Sequence, residues 1–339
     1  MKNWMYIFMM GLVVSLVSSC QQSLDEEVQV PATIGKAKVS FTIALDDLPT
    51  RAVWSENETG GEIGSGNDNA INNLQVWLHY TNSESTAASD QVAINSFYKV
   101  AGSENIYKVE GALTINDLSS ETLDCRLEVF ANCTKGSETF TQGTSTPMWG
   151  EKMTTLNLRK GEATELTEPI YLLRAMAKVE VMVAEGVGEL QSVTVDKYNQ
   201  IGYVLPKFPE TFPEGYDGTE DLDQDAVFNP NTTTPETNLG FTPDGNGGFY
   251  VYLPEYQNVG EGASPAQMTV TIDDKTYPLD FKMYNEENTP YFDIVRNHYY
   301  QYIITGVADD EETADLEVLI KINPWNVKKH TYDEVDIKQ

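Results

Sequence analysis

Apolar and polar positions alternate one by one along much of this chain, beginning at residue 37. Ala37, Val39, Phe41, Ile43 and Leu45 are separated by Lys38, Ser40, Thr42 and Ala44. Successive side chains of a strand point to opposite faces, so the segment is predicted to be a strand with one face buried. The same period of two runs through Leu74, Val76 and Leu78, through Leu123, Cys125, Leu127, Val129 and Ala131, and through Ala177, Val179, Val181 and Val183. It returns at Phe249, Val251 and Leu253, at Met268, Val270 and Ile272, at Leu279, Phe281 and Met283, and at Leu316, Val318, Ile320 and Ile322. Residues 97–100 and 106–109 flank Gly102-Ser103-Glu104, which is a hairpin signal. Shorter candidates are 113–115, 153–158, 170–172, 193–195, 201–205 and the aromatic run 298–304. Nowhere does a 3.6-residue stripe last three turns. Turn signals recur about every 8–12 residues, the pattern of β-sandwiches.

A chain of 339 residues is long for one β-domain. Glu168-Pro169 interrupts the pattern and a fresh long strand follows. The expectation is therefore an all-β protein of two tandem β-sandwich domains, residues 36–168 and 169–339. Residues 52–70 and 81–90 are predicted loops, and 206–248 is a long irregular insertion rich in Pro, Gly, Asp and Thr.

The amino terminus reads as an export signal. Lys2 supplies a basic start, residues 4–16 are almost wholly apolar, and the run is too short to span a bilayer with ease. It ends Val17-Ser18-Ser19-Cys20, which resembles the lipobox of bacterial lipoproteins. That resemblance implies a signal peptide over 1–20 and lipidation, such as palmitate, at Cys20. Residues 21–35 are predicted to be a flexible tether. The acidic cluster Asp25-Glu26-Glu27 resembles signals that send lipoproteins to the outer face of the outer membrane. Cys125 and Cys133 lie eight residues apart on one predicted strand. That spacing gives roughly 26 Å, against the roughly 4.4–6.8 Å between bridged Cα atoms. Both are expected to be free thiols unless the strand ends early and folds back, with Cys125 in the core.

The formal net charge is −30. No basic stripe is available to neutralise phosphates, so nucleic acid and anionic lipid are excluded as electrostatic partners. Nothing singles out a catalytic group. His79, His298 and His330 are scattered without metal-ligand spacing, and no activated-nucleophile motif occurs. Gly64-Ser65-Gly66 begins like a dinucleotide loop but lacks the third glycine. Asp221, Asp223 and Asp225 have the opening spacing of a calcium loop, yet Ala226 stands where the turn needs glycine and Thr232 where a bidentate Glu is needed. A solvated acidic loop and a loose calcium site both stay open. The chain is read as no enzyme, with no cofactor and no assigned metal. Tyrosines cluster at 250, 252 and 256 and at 299, 300 and 302. They fit ordinary strand filling, or a surface that binds glycans.

Pro49 keeps the stretch before Arg51 out of regular pairing, and a cut between Arg51 and Ala52 would separate the first strand from everything after it. The chain resembles the fimbrillin family of type V pilus subunits. The resemblance rests on the segment at Cys20 and on Pro49-Thr50-Arg51-Ala52 and Ile71-Asn72-Asn73-Leu74-Gln75-Val76. It continues at Val129-Phe130-Ala131-Asn132, Pro147-Met148-Trp149-Gly150 and Leu173-Arg174-Ala175-Met176-Ala177-Lys178-Val179. Arg296-Asn297-His298-Tyr299-Tyr300 and Ile322-Asn323-Pro324-Trp325-Asn326 complete it. It implies two transthyretin-like sandwiches, export as an outer-membrane lipoprotein, and proteolytic processing at Arg51/Ala52. It further implies that the strand carrying Ala37, Val39, Phe41, Ile43 and Leu45 is exchanged for one from another subunit of a fimbrium that supports adhesion. The donor would be the tail 325–339, with Tyr332, Val335 and Ile337 as its apolar positions. Partners would be other fimbrial subunits and a host or bacterial surface ligand. Shaft, uncleaved anchor or tip subunit, and surface glycan-binding lipoprotein all stay open.

Overall fold

The computed structural model describes residues 33–45, 70–81, 86–103, 105–118, 122–137, 139–141, 145–157, 163–205, 236–260, 262–282, 291–310 and 313–324. Every regular element among them is a strand. The expected period of two is what they show, and it builds two pairs of facing sheets.

In the first half, one sheet runs Ile170–Tyr171, Thr33–Ala44, Ile106–Leu118, Ala93–Lys99, with Ala163–Glu165 also on Thr33–Ala44. The facing sheet runs Leu173–Arg174, Met148–Asn157, Thr122–Ala131, Leu74–Thr81, Ala87–Gln91. Between them lies a core that includes Val76, Leu78, Val109, Leu113, Cys125, Leu127 and Val129. Ala93–Lys99 and Ile106–Leu118 form the expected hairpin. Gly102 turns it at φ 81, a conformation that favours a residue without Cβ.

The second half repeats the plan. Thr242–Pro243, Phe249–Pro254, Met176–Val183, His298–Asp310 and Thr313–Pro324 make one sheet. Leu239–Gly240, Leu190–Asp196, Gln267–Ile272 and Lys275–Asp280 make the other. Val179, Val181, Leu253, Met268, Val270, Phe281, Tyr300 and Tyr302 fill the space between. Each such apolar side chain contributes about 1.5–3 kcal/mol by leaving water.

Where the pattern was thin, the pairing decides. Ile170–Tyr171 and Leu173–Arg174, which follow Pro169, still add to the sheets of the first half, and Met176–Val183 is the first strand of the second pair. Thr122–Ala131 ends before Cys133, because Asn132 turns the chain at φ 58. Cys133 thus leaves the strand on which the alternation placed it. Both thiols are free, Cys125 within the core and Cys133 half-buried with its Sγ toward the carbonyls of Ala131 and Met148.

A third apolar cluster joins the halves. Phe130, Phe140 and Trp149 of the first half meet Ala175, Met176 and Val204, with Trp77 and Tyr252 packed beside them. Thr139–Thr141 pairs with Ile201–Tyr203 across this junction. At Gly202 a Cβ would lie 2.3 Å from the Phe140 ring, so this close approach needs glycine. Beneath it, the buried Arg296 reaches the carbonyls of Tyr203 and Val204 and forms an ion pair of 2.8 Å with the equally buried Glu255.

Candidate functional site: the slot of the first strand

Thr33–Ala44 is a central strand. On one side it pairs antiparallel with Ile106–Leu118 from Thr33 to Ala44. On the other it pairs parallel with Ala163–Glu165, at Lys38 to Ser40, and with Ile170–Tyr171, at Ile43 and Ala44. Leu166 N donates to Ser40 O (2.9 Å) and Leu172 N to Ala44 O (2.8 Å), so the pairing extends beyond the named strands. On the antiparallel edge, Leu45 N donates to Asn105 O at 3.1 Å.

The inward face is fully dry: Val39, Phe41, Ile43 and Leu45 are each exposed by 2% or less. The outward face is Lys38, exposed, with Ser40 and Thr42 half-buried. Four buried side chains at about 1.5–3 kcal/mol each amount to roughly 6–12 kcal/mol of apolar burial held by this one strand. Its loss would leave two rows of unpaired backbone groups facing a hydrophobic trough, a template for an incoming strand.

Two charged contacts mark the slot. Lys108 Nζ and Glu165 Oε1, on the two strands that flank Thr33–Ala44, meet at 2.6 Å and so arch over its outward face. The hydrogen bond from Lys108 holds the Glu165 carboxyl below the usual range. At the end of the strand, the fully buried Arg174 donates from Nη1 to Leu45 O (3.4 Å) and to Asn297 Oδ1 (3.2 Å). Arg174 therefore touches the last residue of the slot and the second half at once. Burial raises the pKa of the neighbouring Tyr107, while the charge of Arg174 works in the opposite sense.

Of the residues singled out on sequence, Val39, Phe41, Ile43 and Leu45 come together in the slot, and Ala37 lies on the same strand opposite Leu113. Cys20, Arg51, Ala52, Tyr332, Val335 and Ile337 lie outside the described residues, as do His330, the Gly64 loop and the 221–225 loop. Among the described residues, no group of three His, Cys, Asp or Glu side chains is placed to hold a metal ion. The glycan reading of Tyr300 is corrected: its ring is buried, stacked on Phe292 at 5.5 Å, and its hydroxyl bonds Asp293 O. Tyr302 and Tyr256 are likewise core residues, while Tyr250 and Tyr252 stay half-exposed. Arg174, in a two-residue strand, and Arg296, in the turn before His298, gave no signal as site residues, since a lone arginine reads as a surface charge.

The chain matches no protein-family model and no curated protein. Among solved structures it is similar to the tip fimbrial protein Mfa3 from Porphyromonas gingivalis, in a C-terminally truncated form. The identity is 13% and the TM-score 0.51, over 86% of this chain and 100% of that one. A fimbrial assembly protein from Parabacteroides distasonis aligns at 12% identity and a TM-score of 0.43, over 85% of this chain and 99% of that one. At such identities the likeness to Mfa3 is one of fold, and this fold is the all-β one that the fimbrillin-like segments imply.

Proposed function

We propose that this chain is a structural subunit of a cell-surface fimbria, assembled by exchange of its first strand. The observation that carries the reading is the placement of Thr33–Ala44. It is paired on both edges and supplies one wall of a core, yet in sequence it stands just ahead of Arg51, where one cut would detach it. Cys20 would hold the precursor at the outer membrane, a protease would cut between Arg51 and Ala52, and the tail 325–339 of another subunit would enter the slot. The fold shared with a tip fimbrial protein favours, as a second reading, a tip or anchor subunit that keeps its strand.

Two measurements test this. The purified precursor is cut with an Arg-specific protease and run on a gel without boiling. A ladder of multimers is expected, and persistent monomer after clean cutting at Arg51 overturns the shaft reading. The N-terminal residue of the protein recovered from cells separates the two roles: Ala52 for a processed shaft subunit, lipidated Cys20 for a tip or anchor.

A further inference from the structure

We propose that the outer face of the second sandwich carries a pocket for a neutral, hydroxyl-rich sugar ring. The sheet containing Met176–Val183 has one face on the core. Its opposite face would, in an ordinary sandwich, carry solvated side chains. Here that face is buried and polar at its centre. Lys178 and Glu180 are exposed by only 3% and 8%, and Tyr299 and Gln301, directly across the parallel pairing, by 6% each. Over Lys178 and Glu180 opens a cavity of about 530 Å³, walled by Tyr250, Tyr299 and the Asp244–Gly248 turn. That volume is in the range of small-ligand sites.

Glu180 and Tyr299, which line the cavity, are already oriented. Tyr299 Oη donates to Glu180 Oε2, and Gln301 Nε2, behind the lining, donates to the same oxygen at 3.0 Å. Lys178 Nζ lies 5.1 Å from the ring centroid of Tyr250 and 5.4 Å from that of Tyr299. Asp244 Oδ1 accepts from Asn246 N and Gly248 N, which fixes the turn that forms the wall. Removing a lysine and a glutamate from water is unfavourable, and a strand-filling role needs neither. Fixed donors and acceptors beside aromatic rings, around an open space, are what a binding site requires.

The chemistry selects the ligand class. Lys178 already occupies the place near both rings that a cationic ligand would take. Glu180, Glu185 and Asp244 at the cavity, within a molecule of net charge −30, oppose an anion. A neutral ring with apolar C–H faces and a rim of hydroxyls satisfies the remaining features, with the faces against tyrosine and the hydroxyls on the carboxylates and amides. The pocket lies on the second sandwich and shares no lining residue with the strand slot, so the inference stands apart from the assembly reading.

The test uses the full-length protein in detergent and a set of diazirine-bearing methyl glycosides of glucose, galactose, mannose, N-acetylglucosamine and fucose. Cross-linked peptides are mapped by mass spectrometry. Labelling by at least one glycoside within 178–188 or 243–250 is expected, reduced about tenfold or more in Tyr250→Ala and in Glu180→Gln. Labelling in Tyr98→Ala, at an exposed tyrosine of the first half, should match wild type. Saturation-transfer NMR with the unmodified glycoside confirms binding without the photoprobe. No labelling by any of the five at concentrations up to about 10 mM, labelling confined to other peptides, or equal labelling in both pocket variants overturns the proposal.

Discussion

Truncating Phe41 to alanine tests how much of the first half rests on its first strand. The side chain is fully buried in the core, on a strand paired at both edges. A buried Phe→Ala change costs about 3–5 kcal/mol, transfer and cavity combined. For a domain of this size each kcal/mol moves the midpoint by roughly 2–4 °C, so the thermal transition of the first sandwich is expected to fall by about 6–20 °C. The transition of the second sandwich, whose core shares no residue with Phe41, is expected to stay in place. Thr42→Ala, on the outward face, should remain within about 0.5 kcal/mol of wild type.

If the first strand is exchanged as proposed, the same loss acts on that equilibrium. Weakening the resident strand by about 3–5 kcal/mol raises the population of the empty slot roughly 150- to 5,000-fold. A fluorescent peptide of residues 36–45 should therefore enter uncut Phe41→Ala precursor far faster than uncut wild type, read as label that survives gel filtration. A midpoint shift of less than about 2 °C refutes the burial argument. A large shift with no gain in peptide uptake refutes the claim that the strand leaves as a unit.

Three further outcomes follow from the described groups. Burial, the largest influence, holds the His79 pKa below its ordinary 6.5, outweighing its 2.8 Å contact with Glu128. The unfolded chain then takes up the proton first, so stability falls as pH drops through 6.5 toward the folded value; His79→Gln should flatten that slope in urea titrations, and an unchanged slope contradicts it. Burial pushes the thiols of Cys125 and Cys133 up to about 12 and about 11, so iodoacetamide at pH 8 should leave both intact in the folded protein and modify both in guanidinium; rapid native labelling of Cys133 counts against its placement. Arg296→Met takes the guanidinium from the fully buried Glu255 and should cost about 3–5 kcal/mol, with the Arg296→Met/Glu255→Gln double variant recovering part of it; equal stability of single and double variants would argue against the pair.

The sheets were legible in the chain because both cores obey the simplest periodic rule. Val39-Phe41-Ile43 and Val179-Val181 alternate strictly, and a one-residue slip would turn every one of these side chains to water. The buried charges were not legible. Arg174 needs Leu45, 129 residues away, and Arg296 needs Val204, 92 residues away, so no local window contains the partner that makes burial tolerable. Tyr299 and Tyr300 show the limit of composition. Adjacent on one strand, one serves a polar outer face and the other a dry core, and a count of tyrosines does not separate them. The two-residue strands after Pro169 carry too few positions to display a period, and only their register assigns them.

What the slot demands of an incoming strand can be read from the one that fills it. It asks for apolar side chains at four alternate positions, matching Val39, Phe41, Ile43 and Leu45, and for a carbonyl at the Leu45 position facing Arg174. The tail segment Thr331-Tyr332-Asp333-Glu334-Val335-Asp336-Ile337 meets this poorly as a straight strand. With Val335 and Ile337 inward, Asp333 also turns inward and Tyr332 outward; with Tyr332 inward, Glu334 and Asp336 follow it into the trough. A bulge between Tyr332 and Val335 is the arrangement that places all three apolar residues on one face while keeping Asp333 or Glu334 out. Such a strand still fills three sites where the resident one fills four. In competition for a cut, depolymerised subunit, the 36–45 peptide is therefore expected to displace the 325–339 peptide. The margin should be near one buried side chain, about 1.5–3 kcal/mol, or roughly 10- to 150-fold in affinity. If the tail enters unbulged the gap should be wider, with only two sites filled and Asp333 inward, and Asp333→Val should narrow it to about one side chain; if the bulge forms, Asp333→Val should leave the gap unchanged. Tail binding as tight as that of the resident strand would refute the count of three filled sites, and no tail binding at all would argue against the tail as donor.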